Sequence, residues 1–141
     1  PDVTLYRCDG TPIGMHQLCP RRAAYVYTYA DWCPNCRNFA DGGQANDLYR
    51  RYKEHDFDMW FVITAQSDSS TPPSAEYCQM IKARYGLEMT VLYDPDGATN
   101  SELEMRVNTA DMVITRGNKI VTNGPWAFFV VEDALQRIYG F

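Results

Sequence analysis

Hydrophobic positions along this chain change their period several times, and each change marks an element. Residues 3–6 (VTLY) form a short β-prone run. Residues 23–29 (AAYVYTY) form a compact apolar run rich in β-formers, the pattern of a buried strand. From Pro34 to about His55 the period becomes helical, with Leu48, Tyr49 and Tyr52 at helical spacing. Pro34 suits the first helical turn, where a missing N–H costs nothing. Gly42-Gly43 predict a kink or interruption in that segment. Residues 57–65 (FDMWFVITA) predict a second strong strand. Residues 74–85 predict a helix that starts just after two prolines and stops at Gly86. Residues 90–93 predict a strand ended by the turn signal Asp94-Pro95-Asp96-Gly97. A short helix is predicted over 99–105. Residues 111–115 and 119–121 predict a β-hairpin turning at Gly117-Asn118. Residues 131–139 predict a closing helix with Ala134, Leu135 and Ile138 on one face.

The order β-β-α-β-α-β-α-β-β-α predicts an α/β sandwich around a mixed sheet, because the terminal hairpin requires at least one antiparallel pair. The polar stretch 67–73 (SDSSTPP) is too short for a linker and reads as a surface loop. With 141 residues, 45% of them hydrophobic, the chain can bury a sizeable core. The reading is one domain over 1–141, with residues 1–20 as an N-terminal β extension and 21–141 as the core.

Charge narrows the partners. The formal net charge is −5 and no basic cluster is present, which argues against nucleic acid and against contact with an anionic membrane surface. No apolar run approaches the roughly 20 residues that span a bilayer. No signal peptide is visible, and a start at Pro1-Asp2 without Met reads as a trimmed or mature form.

Five cysteines, at 8, 19, 33, 36 and 78, bring in the chemistry. Cys33 and Cys36 form a C-x-x-C pair preceded by Trp32, placed where a strand ending near Tyr29 gives way to a helix beginning at Pro34. A helix N-terminus presents unpaired N–H groups and the positive end of the dipole, and both favour a thiolate. A spacing of three puts both sulfurs on one helix face, close enough to bridge. The leading sulfur can be approached and the second can resolve a mixed disulfide, which together make up thiol–disulfide exchange. A zinc site would need two more ligands, usually as a second close pair. Cys8 and Cys19 are too widely spaced for that and the histidines, His16 and His55, read as surface residues, so neither metal nor cofactor is expected.

Residues 29–37 (YADWCPNCR) resemble the W-C-x-x-C segment of the thioredoxin superfamily. Three further stretches are similar to its TlpA/redoxin branch of disulfide oxidoreductases: Asp9-Gly10 to Leu18, the Leu92–Gly97 segment LYDPDG, and Val113-Ile114 through Asn118–Val121. The resemblance implies a thioredoxin-like three-layer α/β/α sandwich. It implies Cys33 as the attacking thiolate and Cys36 as the resolving thiol, with a disulfide- or dithiol-containing protein as substrate and a second protein as redox partner. It also implies an extracytoplasmic setting, periplasmic or membrane-tethered with the anchor trimmed, and a monomer. Trp32, Pro34, Thr109 and Ala110 are the expected substrate-contacting positions.

Two positions depart from the family pattern. The proline that faces the cysteines in the family falls at Thr109, or at Ala110 with a one-residue slip. A cis bond before a residue other than proline costs about 2.5–4 kcal/mol, so a trans peptide is expected there. The helix proline expected five residues after Cys36 is Asp41, and Gly42-Gly43 replace it as the source of a bend. Cys8 and Cys19 are read as a staple across the N-terminal hairpin, contributing roughly 2–4 kcal/mol by loop closure, and Cys78 as a half-buried inert thiol. Trp60 is assigned to strand packing and Trp126 to a loop near the site or to the core. Two other functions compete with this reading. A peroxiredoxin-like peroxide reductase would need P-x-x-x-T-x-x-C, but Val26 and Ala30 stand at the proline and threonine places. A binding module without catalysis, redox-sensing or of the copper-carrying C-x-x-x-C kind, remains the other alternative; the copper form would need one more residue between the cysteines and a downstream histidine.

Overall fold

The run Ala23–Ala30 is buried at every position, as a strand covered on both faces must be. A computed structural model of the chain describes residues 3–103, 110–125 and 127–141. In chain order its elements are β1 (Thr4–Arg7), β2 (Pro12–Gly14), a 3-10 turn (Met15–Leu18), β3 (Ala23–Ala30), α1 (Pro34–Asp41), α2 (Gln44–Tyr52), β4 (Phe57–Ala65), α3 (Ala75–Tyr85), β5 (Thr90–Tyr93), α4 (Ala98–Ser101), β6 (Ala110–Thr115), β7 (Lys119–Pro125) and α5 (Phe128–Tyr139). The strands form one sheet in the order β2-β1-β5-β4-β3-β6-β7. β3, β4 and β5 are mutually parallel, and the remaining neighbours pair antiparallel.

Strand order decides which face each helix covers. The path β3 to β4 to β5 steps along the sheet in one direction, so right-handed crossovers bring α1, α2 and α3 to the same face. The return from β5 to β6 runs the opposite way and carries α4 across the other face. The two cores follow this division. Tyr25, Tyr27, Phe61 and Ile63 pack with Cys36, Leu48, Ile81 and Leu135 on the first face. Val26, Trp60 and Met112 pack with Met15, Leu18 and Leu103 on the second. The three-layer α/β/α sandwich around a mixed sheet is therefore present, with the N-terminal β extension forming one end of the sheet.

Glycine sets the break beneath the site. A Cβ on Gly42 would lie 2.8 Å from the Asn38 carbonyl oxygen, and Gly43 adopts φ +84°. The predicted 34–55 helix is thus two helices, α1 and α2. At the hairpin, the three-residue connection Arg116-Gly117-Asn118 takes positive φ at Gly117 (+79°) and Asn118 (+57°). α5 starts three residues before the predicted boundary: Phe128 packs on Phe39, but Phe129 (76% exposed) and Val130 face outward and mask the helical period there.

The expected Cys8–Cys19 staple is not formed. Cys8 is bonded to Cys78 on α3, 70 residues away, with 5.1 Å between the Cα atoms. Topology explains the difference. β1 lies beside β5, and α3 packs over both, so the chain leaving β1 meets Cys78. Cys8 packs against the first-face core. Cys19 follows the 3-10 turn that packs into the second-face core and keeps a free, half-buried thiol. Cys78 is fully buried in the first-face core and is not the inert thiol expected.

Candidate active site

β3 ends at Ala30, Asp31 and Trp32 make the turn, and Cys33 becomes the N-cap of α1 with φ −94° and ψ 115°. Its sulfur accepts the Cys36 N–H at 3.4 Å, the position an oxygen occupies in an ordinary cap. Its own N–H donates to the Ala30 carbonyl at 3.0 Å, and its carbonyl accepts from Arg37 N–H at 3.1 Å. Pro34 takes the first helical position, where no N–H is required. The Cys33 sulfur therefore stands in the positive end of the helix. Cys33 is 8% exposed and Cys36 1%, so one sulfur borders solvent and the other lies beneath it. Both are free thiols. Trp32 is 43% exposed and Pro34 is also exposed, so both stand on the surface beside Cys33.

The environment separates the two thiols. Burial pushes the Cys36 thiol up to about 12, with the neighbouring Cys33 sulfur adding to the effect and the Tyr27 hydroxyl opposing it. Tyr27 is itself pushed well above the usual tyrosine range, first by burial and then by Cys36. Its hydroxyl has no hydrogen-bond partner of ordinary geometry.

A second polar group surrounds the turn. Asp31, 8% exposed, accepts from the Tyr29 hydroxyl at 2.7 Å, from Ser67 Oγ at 3.2 Å and from Arg84 Nη1 at 3.3 Å. The Tyr29 and Tyr85 hydroxyls are 3.0 Å apart. Arg37 donates to the Asp31 backbone carbonyl at 3.2 Å.

On the neighbouring strand, Asp111 lies opposite Tyr27 in the β3–β6 register. It is 3% exposed, and burial raises its carboxyl to about 6 although Ala127 N–H and the Tyr25 hydroxyl both donate to it. Ala110 was expected to contact substrate. It is instead fully buried, its N–H donates to Thr28 Oγ1 at 2.6 Å, and its carbonyl accepts from the same hydroxyl at 3.0 Å. It has no free donor for a docked chain. Thr109 and Trp126 lie outside the described residues. All peptide bonds among the described residues are trans.

The sequence reading placed Cys33, Cys36, Trp32 and Pro34 together, and they are together. It missed Tyr27, Asp111 and the Asp31 cluster. A signal existed for the tyrosines: Tyr25, Tyr27 and Tyr29 alternate along the strand that delivers Cys33, so they share the face the helix covers. Among the described residues, no group of three or more His, Cys, Asp or Glu side chains could hold a metal ion. The Cys33 sulfur at the helix mouth, which borders solvent, and the more deeply buried Cys36 sulfur behind it are suited to forming and breaking a disulfide bond.

The Redoxin family model matches residues 1–127. No curated protein sequence matches the chain. Among solved structures, the chain superimposes on a protein from Chlorobium tepidum assigned as thiol:disulfide interchange protein DsbE, with TM-score 0.77, 20% identity, and 98% of this chain and 90% of that one covered. A thioredoxin-like protein from Aeropyrum pernix gives TM-score 0.75 at 15% identity, covering 96% of this chain and 89% of its own. The exposed lipoprotein thioredoxin of Streptococcus pneumoniae gives 0.70 at 18%, covering 97% and 99%. At these identities the structures establish a shared thioredoxin-like fold.

Proposed function

The chain belongs to the redoxin family, and from that premise we propose that it is a thiol–disulfide oxidoreductase in which Cys33 attacks and Cys36 resolves. One observation carries the reading: the Cys33 sulfur caps α1 and accepts the Cys36 N–H at 3.4 Å, while Cys36 is buried behind it. The capping position favours a thiolate, and the buried partner is placed to displace whatever Cys33 has captured. Trp32 and Pro34, exposed on either side of Cys33, are the surface a substrate protein would meet first. The substrate is a protein carrying a disulfide or dithiol, and a second protein restores the pair. No cofactor enters the reaction, and the domain acts as a monomer.

The Cys8–Cys78 bond favours an oxidising, extracytoplasmic compartment. The thiol–disulfide and lipoprotein names of the structural neighbours point the same way. Among the described residues no helix is long and apolar enough to cross a membrane.

The test is insulin reduction with dithiothreitol, comparing the wild type with Cys33→Ser, alongside titration of the Cys33–Cys36 couple in glutathione buffers. The wild type accelerates reduction and equilibrates between dithiol and disulfide; the variant does neither. Equal rates for both proteins would sink the reading. The measured potential then separates a reductant from an oxidant.

A further inference from the structure

Tyr27 presents an unusual polar atom to the site. The residue is 0% exposed, and its hydroxyl has no hydrogen-bond partner of ordinary geometry. Its ring is fixed by Phe39 at 4.7 Å and Phe61 at 5.3 Å between centroids. Phe39 lies three residues beyond Cys36, one turn along the buried face of α1. Tyr27, Phe39, Cys36 and Cys33 belong to one packed cluster. After burial itself, Cys36 is the neighbour that acts most on the hydroxyl, with Tyr25 and Cys33 behind it. A buried hydroxyl without a partner is costly, and phenylalanine would fill the same space without that cost. The surrounding aromatic shell therefore explains the ring but not the oxygen.

We propose that the Tyr27 hydroxyl is a hydrogen-bond donor to Cys36 Sγ during the resolving step. This rests on the redox reading above and adds a residue to it. In the first step Cys33 thiolate attacks a substrate disulfide R–S–S–R′, forms Cys33–S–S–R and releases R′ as a thiolate. In the second, Cys36 loses its thiol proton, and its thiolate attacks Cys33 Sγ. The Cys33–Cys36 bond forms as the bond from Cys33 to R breaks. The departing thiolate gains, through solvent, the proton that Cys36 gave up. Two electrons pass from the dithiol to the substrate. The difficult moment is a thiolate on a buried sulfur, and an unpartnered O–H in the same buried cluster can turn to that sulfur and stabilise it without transferring a proton. Burial suppresses the acidity of Tyr27, so the hydroxyl acts as a donor and not as a base.

The experiment compares wild type with Tyr27→Phe, which removes one oxygen and keeps the ring. Reduced protein is mixed with a chromogenic aryl disulfide, and the two thiolate releases are followed by stopped flow. Alkylation of Cys33 by iodoacetamide is measured in parallel. The expected result is a second release slowed about tenfold, the scale of one hydrogen bond to a charged group, with Cys33 alkylation and the first release unchanged. An unchanged second release overturns the proposal. So does a loss shared equally by Cys33 alkylation, which would mark a packing role for the ring environment. A wild type that gives no second release at all fails the redox reading itself, and the Tyr27 proposal falls with it.

Discussion

Arg84 Nη1 lies 3.3 Å from Asp31 Oδ1, which ties the last turn of α3 to the turn that delivers Cys33. The two ends of this pair are unequal. The Arg84 side chain is 45% exposed and that of Asp31 11%. Asp31 also accepts from Tyr29 and Ser67, whereas the ion pair itself is largely open to screening by solvent.

That inequality predicts two different costs. Arg84→Met removes a screened ion pair and lowers stability by less than about 1 kcal/mol. Asp31→Ala leaves the Tyr29 hydroxyl with Tyr85 as its remaining partner in this cluster and strips Ser67 of its acceptor, at a cost of about 1–3 kcal/mol. Urea midpoints for the two variants measure the difference. Equal losses would mean that the ion pair, and not the buried hydrogen bonds, holds the turn.

Asp111 predicts a pH dependence. Burial raises its carboxyl to about 6 in the folded chain, above the ordinary carboxylate value it has when unfolded. Between those two values the folded state holds more proton than the unfolded state, so stability falls as pH rises through this window. After allowing for screening the loss is about 2 kcal/mol. Asp111→Asn keeps an acceptor for Ala127 N–H and Tyr25 but cannot ionise. The variant should therefore gain on the wild type between pH 4 and pH 7, measured by denaturant unfolding at both ends. A stability difference between the two proteins that stays constant across that range would show that Asp111 titrates normally.

The disulfide predicts where stability resides. Closing a loop of 70 residues contributes about 4 kcal/mol in the chain-entropy model. The double variant Cys8→Ala with Cys78→Ala should lose an amount of that order, while Cys19→Ser should change stability little, since Cys19 is a free, half-buried thiol. Peptide mapping without reductant gives an independent check, with a cross-linked fragment joining Cys8 to Cys78. A fragment joining Cys8 to Cys19 would refute the pairing.

The same bond marks a boundary between what the residue pattern reveals and what it hides. Residues 57–65 and 90–93 match β4 and β5 end to end, because runs of apolar β-formers end there at clear turn residues, Asp94-Pro95-Asp96-Gly97 after β5. The C-x-x-C placement was equally legible, since strand, turn, proline and helix are all local signals. Cys8 was paired with its sequence neighbour because hairpin closure is a local idea. Its true partner depends on β1 lying beside β5 under α3, a long-range fact that hydropathy does not carry. Tyr27 was hidden differently. Inside an unbroken apolar run a tyrosine reads as packing, and only the strand's alternation against α1 gives its hydroxyl a direction. Asp111 heads a predicted strand, where an acid looks like a boundary residue, but β6 begins at Ala110 and carries it inside.

The two active-site thiols should differ sharply in reactivity, and this can be read directly by labelling. Burial pushes Cys36 up to about 12, so at pH 8 it is held as a thiol. Its sulfur is also covered, at 1% exposure, whereas Cys33 borders solvent at the positive end of α1. A short pulse of iodoacetamide on folded protein, with the Cys33–Cys36 pair reduced and Cys8–Cys78 intact, should therefore modify Cys33 and leave Cys36 untouched. Cys19, half-buried and free, provides an internal reference for ordinary access. Unfolding in guanidinium before the pulse should expose Cys36 and bring its labelling to the level of Cys19. Mass spectrometry of the digested protein resolves the three sites. Labelling of Cys36 as fast as Cys33 in the folded chain would mean that the second sulfur is neither buried nor held as a thiol, and the ordered attack-then-resolve sequence would lose its structural basis.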